Sequence, residues 1–121
     1  MILVDTSIWV DHLRKGDPAM RRLLTDGLVL SHPFVIGELA MGNLEPRKSI
    51  FKMLHRLPSA VAAGHLEVLS FITQNALFGI GIGYIDAHLL AATRLTLGAT
   101  LWTRDQRLAK VAVSMNLAFQ P

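Results

Sequence analysis

Two kinds of apolar pattern alternate along the chain. ILV at 2–4, LVLS at 28–31 and TLW at 100–102 are short unbroken apolar runs of the kind that form strands buried on both faces. The segments between and after them carry apolar residues at helical spacing. The first is expected from about Ile8 to Arg14, with Ile8, Trp9 and Leu13 inward, Thr6 or Ser7 as cap, and Lys15 and Gly16 closing it. Asp17 before Pro18 marks a second helix start, which carries Leu23 and Leu24 and ends at Gly27. Pro33 opens a third helix, with Phe34, Val35, Ile36, Glu38, Leu39 and Met41. Pro46 opens a fourth, whose apolar Ile50, Phe51, Leu54 and Leu57 oppose Lys48, Lys52 and Arg56, and Pro58 stops it. Helical spacing returns over His65–Leu77 through Leu66, Leu69, Ile72, Ala76 and Leu77, over Tyr84–Leu97 up to Gly98, and over Leu108–Met115. SAVA (59–62) and NLAF (116–119) are expected as further short strands, and the glycine-rich FGIGIG (78–83) as a connection.

Short apolar strands alternating with helices predict an α/β fold with a parallel sheet, in one domain over residues 1–121. Ligands of such open sheets bind at the carboxyl ends of the strands. Asp5 and Asp105 each fall just after a strand and would point into that crevice.

Composition narrows the classes. With 51% hydrophobic and 17% charged residues, the chain can bury a large core but has little polar surface to cover it. There is no cysteine, which excludes disulfides, thiolate metal sites and thiol nucleophiles. Asp5 interrupts the first apolar run, which argues against a signal peptide, and ALFGIGIGYI is about half the ~20 residues a spanning helix needs. A soluble cytoplasmic protein is expected. The net charge of +3 is uneven: no acid lies between Glu45 and Glu67, where Arg47, Lys48, Lys52 and Arg56 fall. Lys48, Lys52 and Arg56 would share one helix face, either as a solvated stripe or as a track for phosphates.

Four of the nine acids stand out. Glu38 in FVIGELAMG and Asp86 in GYIDAHLLAA sit among residues that should be buried, and an unpaired buried carboxylate needs a partner or a metal. Together with Asp5 and Asp105 they would repel one another unless a cation joined them. Carboxylate oxygens suit Mg²⁺ or Mn²⁺, which retain waters and bind substrate phosphates. The corresponding chemistry is phosphodiester hydrolysis, in which a metal activates and orients a water and offsets charge on the leaving oxygen. Thr6, Ser7 and Thr103 would orient carboxylates or waters, or simply cap helices. The five histidines show no paired ligand spacing and are expected to be structural or at the surface.

These pieces, MILVDTSIW, GELAMG, GYIDAHLLAAT and LWTRDQRL, resemble in order and spacing the PIN domain, and within it the VapC toxins of type II toxin–antitoxin pairs. The resemblance spans essentially the whole chain. It implies a PIN-like α/β/α sandwich with a five-stranded parallel sheet flanked by helices, Mg²⁺ or Mn²⁺ at the four acids, and endoribonuclease activity. It also implies a homodimer and a cognate VapB-like antitoxin whose tail covers the active groove. Asp5 and Asp86 would be the principal ligands, completed by Asp105 and Glu38, and Arg14, Lys48, Lys52, Arg56 and Arg104 would be candidate RNA contacts. The sequence departs from many relatives after Asp105, where Gln106, Arg107 and Leu108 stand in place of a nearby aromatic. A haloacid-dehalogenase-like phosphatase would need a second aspartate where Ser7 stands. The alternative from another class is a non-cleaving PIN-fold module that binds RNA or protein.

Overall fold

β1 (Ile2–Val4) runs through the middle of a parallel sheet, between β2 (Val29–Leu30) and β3 (Thr100–Trp102). The computed structural model describes residues 1–121. Ile2 is opposite Val29 on one side and Thr100 on the other, and Leu3 is opposite Leu30 and Leu101. All three residues of β1 are buried, which is why the run ILV shows no alternation.

Seven helices flank the sheet: α1 (Thr6–Lys15), α2 (Pro18–Thr25), α3 (Pro33–Ala40), α4 (Arg47–Arg56), α5 (His65–Gln74), α6 (Tyr84–Leu95) and α7 (Gln106–Ser114). The main core joins β1 to Ile8 and Trp9 of α1, Leu89 and Leu90 of α6, Leu101 of β3 and Leu108 of α7. Asp17 caps α2 through a bond from the Met20 amide (3.0 Å), with Pro18 in the first turn. None of the helices is long and apolar enough to cross a membrane.

The expected five-stranded sheet is a three-stranded one. The two outer segments are each reduced to a single parallel bridge, Ser31 with Ser59 and Leu101 with Ala118. The Ser31 amide donates to the Pro58 carbonyl (2.9 Å) and Ala60 donates back to Ser31 (2.8 Å). Beyond that point Val61 donates to the Thr96 hydroxyl at the end of α6 (2.9 Å), so the segment leaves the sheet. On the other edge Asn116, at φ 60°, turns the chain immediately before Leu117, and only Leu117–Phe119 remains to pair.

Two helical expectations also change. The inner stripe of α5 is Val68, Phe71 and Ile72, packed with Ala63, Ala87 and Ala91, whereas Leu66 and Leu69 face outward. Small alanines on α6 let α5 approach there, and that fixes the rotation of α5. The last long helix stops at Leu95 because Thr96 turns its hydroxyl back onto the Ala92 carbonyl (2.8 Å), leaving Leu97 fully exposed.

Candidate active site

Asp5, at the end of β1, is itself the cap of α1; Thr6 and Ser7 are not. Its Oδ1 accepts from the Thr6 amide (2.7 Å). Its Oδ2 accepts from the Thr103 hydroxyl (2.7 Å) and more weakly from the Ser7 hydroxyl (3.3 Å). The Asp5 amide donates to the Trp102 carbonyl of β3 (2.9 Å). Asp5 is 8% exposed, with one hydrogen bond to Oδ1 and two to Oδ2.

Thr103, just past β3, connects two of the acids. While donating to Asp5, its Oγ1 accepts from the Asp105 amide (3.0 Å). Asp105 caps α7, with Oδ1 accepting from the Arg107 (2.9 Å) and Leu108 (3.0 Å) amides. The hydroxyl of Ser7 accepts from the Arg104 amide (3.2 Å), tying the same loop to α1.

Glu38 differs from the sequence expectation. It lies on the exposed face of α3, because Val35 and Leu39 turn that helix inward and leave Phe34, Gly37, Glu38 and Met41 outside. Its Oε1 accepts from the Thr6 hydroxyl (2.6 Å), which draws α3 to the start of α1. Asp86 is half-buried in the first turn of α6, with Oδ2 accepting from the Gly83 amide (2.9 Å). Burial pushes its pKa up; the Gly83 bond opposes this, and the charges of Asp5, Asp105 and Glu38 add to the rise. Three acids from distant parts of the chain are therefore close enough to act on the charge of Asp86. Glu38 Oε2, Asp86 Oδ1 and Asp105 Oδ2 accept no hydrogen bond within the chain.

No three His, Asp or Glu side chains converge into a group that could enclose an ion. The donor set nonetheless fits a hard cation that takes one or two carboxylates and completes its shell with water and phosphate oxygens. Oxygen donors with uncommitted lone pairs and mutual repulsion are what such an ion relieves.

The basic candidates separate. Arg104 is bound by two carboxylates, Nε to Asp11 (2.7 Å) and Nη2 to Asp17 (2.9 Å), so its charge is already matched. Arg14, Lys48, Lys52 and Arg56 are exposed with no carboxylate at ion-pair distance. Arg107, which sequence reasoning passed over, packs against Gly81; a Cβ on that glycine would stand 2.8 Å from Nη1. At φ +88° Gly81 also has a backbone that disfavours any side chain.

Two of the histidines are deeply buried. His32 caps α3 through Nδ1, which accepts from the Phe34 amide (3.0 Å). The Nε2 atoms of His32 and His88 have no partner. Burial and then the neighbouring His88 push the His32 pKa down to about 4, and burial lowers that of His88.

A parallel α/β fold that gathers carboxylates at the carboxyl edge of its sheet has the frame of a PIN-like nuclease. No protein-family model matches the chain. It is similar to Ribonuclease VapC32 from two strains of Mycobacterium tuberculosis, 42% identical over 118 residues, or 98% of this chain and 95% of the relative. The chain belongs to the VapC family of ribonucleases.

Proposed function

We propose that the chain is a Mg²⁺- or Mn²⁺-dependent endoribonuclease that hydrolyses phosphodiester bonds in RNA as the toxin of a type II toxin–antitoxin pair, inhibiting translation. The observation that carries this reading is the gathering of Asp5, Glu38 and Asp105, joined through Thr6 and Thr103, with Asp86, which is raised in pKa first by burial and then by the charges of the other three. Membership of a ribonuclease family supports the choice of RNA.

Asp5 and Asp86 would be the principal ligands, with Asp105 and Glu38 completing the pocket. When bound, the ion lowers the pKa of a coordinated water and offsets charge on the leaving oxygen. The chain's own groups do the positioning. Thr103 and Ser7 hold Asp5 Oδ2 in place, and Thr6 holds Glu38 through Oε1. The Gly83 amide fixes Asp86 Oδ2 and leaves Oδ1 free. A cation competes with protons for Asp86, whose pKa is raised, so metal affinity rises with pH across its titration. Exposed Arg14, Lys48, Lys52 and Arg56 supply the charge that draws in an RNA backbone.

In this reading residues 1–121 form one PIN-like domain in a cytoplasmic homodimer, held inactive by a VapB-like antitoxin. Asp5→Asn and Asp86→Asn are expected to abolish Mg²⁺- or Mn²⁺-dependent cleavage of total RNA while leaving circular dichroism and the melting transition near those of the wild type. Undiminished cleavage by either purified variant refutes the assignment.

A further inference from the structure

We propose that the recess between α3 and the start of α6 is a stacking slot for one unpaired nucleobase of the RNA, beside the bond to be cut. The proposal rests on the ribonuclease reading above and names the part of the substrate that this surface holds.

Phe34, Gly37, Glu38 and Met41 follow one another on α3 at i, i+3, i+4 and i+7, and so share a face. With Tyr84 and Ile85 of α6 they line a recess of about 420 Å³. Glu38 belongs to both the recess and the acidic cluster, and Tyr84 lies two residues before Asp86. Whatever nucleotide spans the acids therefore has its neighbour at this recess.

The two aromatic rings are exposed yet fixed. Phe34 and Tyr84 are 37% and 42% exposed. Buried His88 stands behind both, its ring centroid 4.5 Å from each, at 60° to Phe34 and 86° to Tyr84. His32 packs edge-on against Phe34 at 5.4 Å, and the Tyr84 hydroxyl is hydrogen-bonded to His65 Nδ1. Rings held in this way lose little freedom when a flat partner stacks on them. Unpaired bases are recognised by stacking on such side chains.

Gly37 keeps the recess open. A Cβ placed there would meet no atom within 4 Å, and the backbone is ordinary helix, so a larger residue fits the fold while filling the space. A nucleobase is favoured over a protein segment because the rings adjoin carboxylates that a substrate phosphodiester must reach.

The test uses the whole chain and two probes. The first is an RNA fragment spanning a mapped cut site, intact or with an abasic residue on either side of the scissile bond. Phe34→Ala, Tyr84→Ala and Gly37→Leu are expected to raise KM about tenfold or more, with kcat changed less than about threefold. Tyr84→Phe should retain the wild-type KM. An abasic residue at one flanking position should raise the wild-type KM by a similar factor and cost the three variants nothing further. The second probe is single-stranded RNA carrying 2-aminopurine, whose fluorescence is quenched on stacking, bound to the Asp5→Asn protein with and without Gly37→Leu. Quenching that Gly37→Leu removes supports the slot even if the wild type cuts no RNA, an outcome that would refute the ribonuclease reading alone. Unchanged KM in Gly37→Leu, additive losses with the abasic substrate, or variants that alter only self-association in sedimentation overturn the slot while leaving cleavage by the wild type intact.

Discussion

Acidifying the metal-free chain from about pH 7.5 to about pH 5 is expected to remove about 2 kcal/mol of stability through His32 alone. The ring is 1% exposed, its Nδ1 accepts the Phe34 amide, and its Nε2 has no acceptor, so protonation would place a charge where nothing receives it. The groups facing it are His88, another base, and the apolar ring of Phe34. Its pKa falls from 6.5 unfolded to about 4 folded, so the unfolded chain binds the extra proton throughout that interval. The stabilisation is fully present above pH 6.5 and declines by about 1.4 kcal/mol per pH unit as the pH falls toward 4. Asp86 acts in the opposite sense, since its pKa is raised and falling pH relieves it; Asp17, with a lowered pKa, loses stability only below the usual aspartate range. The comparison that isolates His32 is His32→Asn, because asparagine also caps a helix but does not titrate in this range. Urea unfolding across the pH series, with EDTA present, should show a lower but flatter stability profile for the variant. If wild type and variant have the same slope between pH 6.5 and about 4.5, the imidazole is not the group responsible and the argument fails.

Thr103→Ala removes the bond to Asp5 and the acceptor for the Asp105 amide at once, and should lower metal affinity or activity by about 10–100-fold, whereas Thr103→Ser should stay near wild type; a metal titration of the cleavage rate decides. Lys52→Glu with Arg56→Glu should weaken RNA binding and lower the log–log salt slope by about 1.4 or more, and an unchanged slope would make that face of α4 merely solvated. Gly81→Ala should cost about 1–2 kcal/mol from its left-handed backbone, plus a steric part that Arg107→Ala relieves; additive losses in a denaturant double-mutant cycle would show that Gly81 does not cradle the arginine.

The elements legible in the sequence were those marked by a local signal. Asp17 before Pro18, Pro33, and the runs ILV and TLW lie where their chemistry puts them, because a cap, a fixed φ or an unbroken apolar triplet acts within a few residues. What periodicity left ambiguous was settled by contacts from far along the chain. On α5 both Leu66–Leu69–Ile72 and Val68–Phe71–Ile72 satisfy a helical repeat, and the alanines at 87 and 91 choose the second. Glu38 looked buried because its neighbours are apolar, yet Phe34, Gly37 and Met41 among them form the exposed recess beside Tyr84. Arg104 looked free because Asp11 and Asp17, its partners, lie on the other side of β3 in sequence.

Capping and ligation looked like competing explanations for the acids, and in three of the four cases the geometry that caps a helix would also serve the proposed ligation. Asp5 caps α1, Asp105 caps α7, and Asp86 accepts from Gly83 at the start of α6. The capping bond fixes the rotamer, and in Asp86 and Asp105 it engages one oxygen while leaving the other uncommitted. It also places three positive helix ends beside the acids, each offsetting part of the repulsion that gathering four carboxylates creates. That compensation is incomplete at Asp86, whose pKa is raised first by burial and further by the charges of the other three. The residual is an electrostatic demand for a cation, and it explains why residues that a sequence reader would assign to ordinary helix starts can also form the candidate catalytic centre.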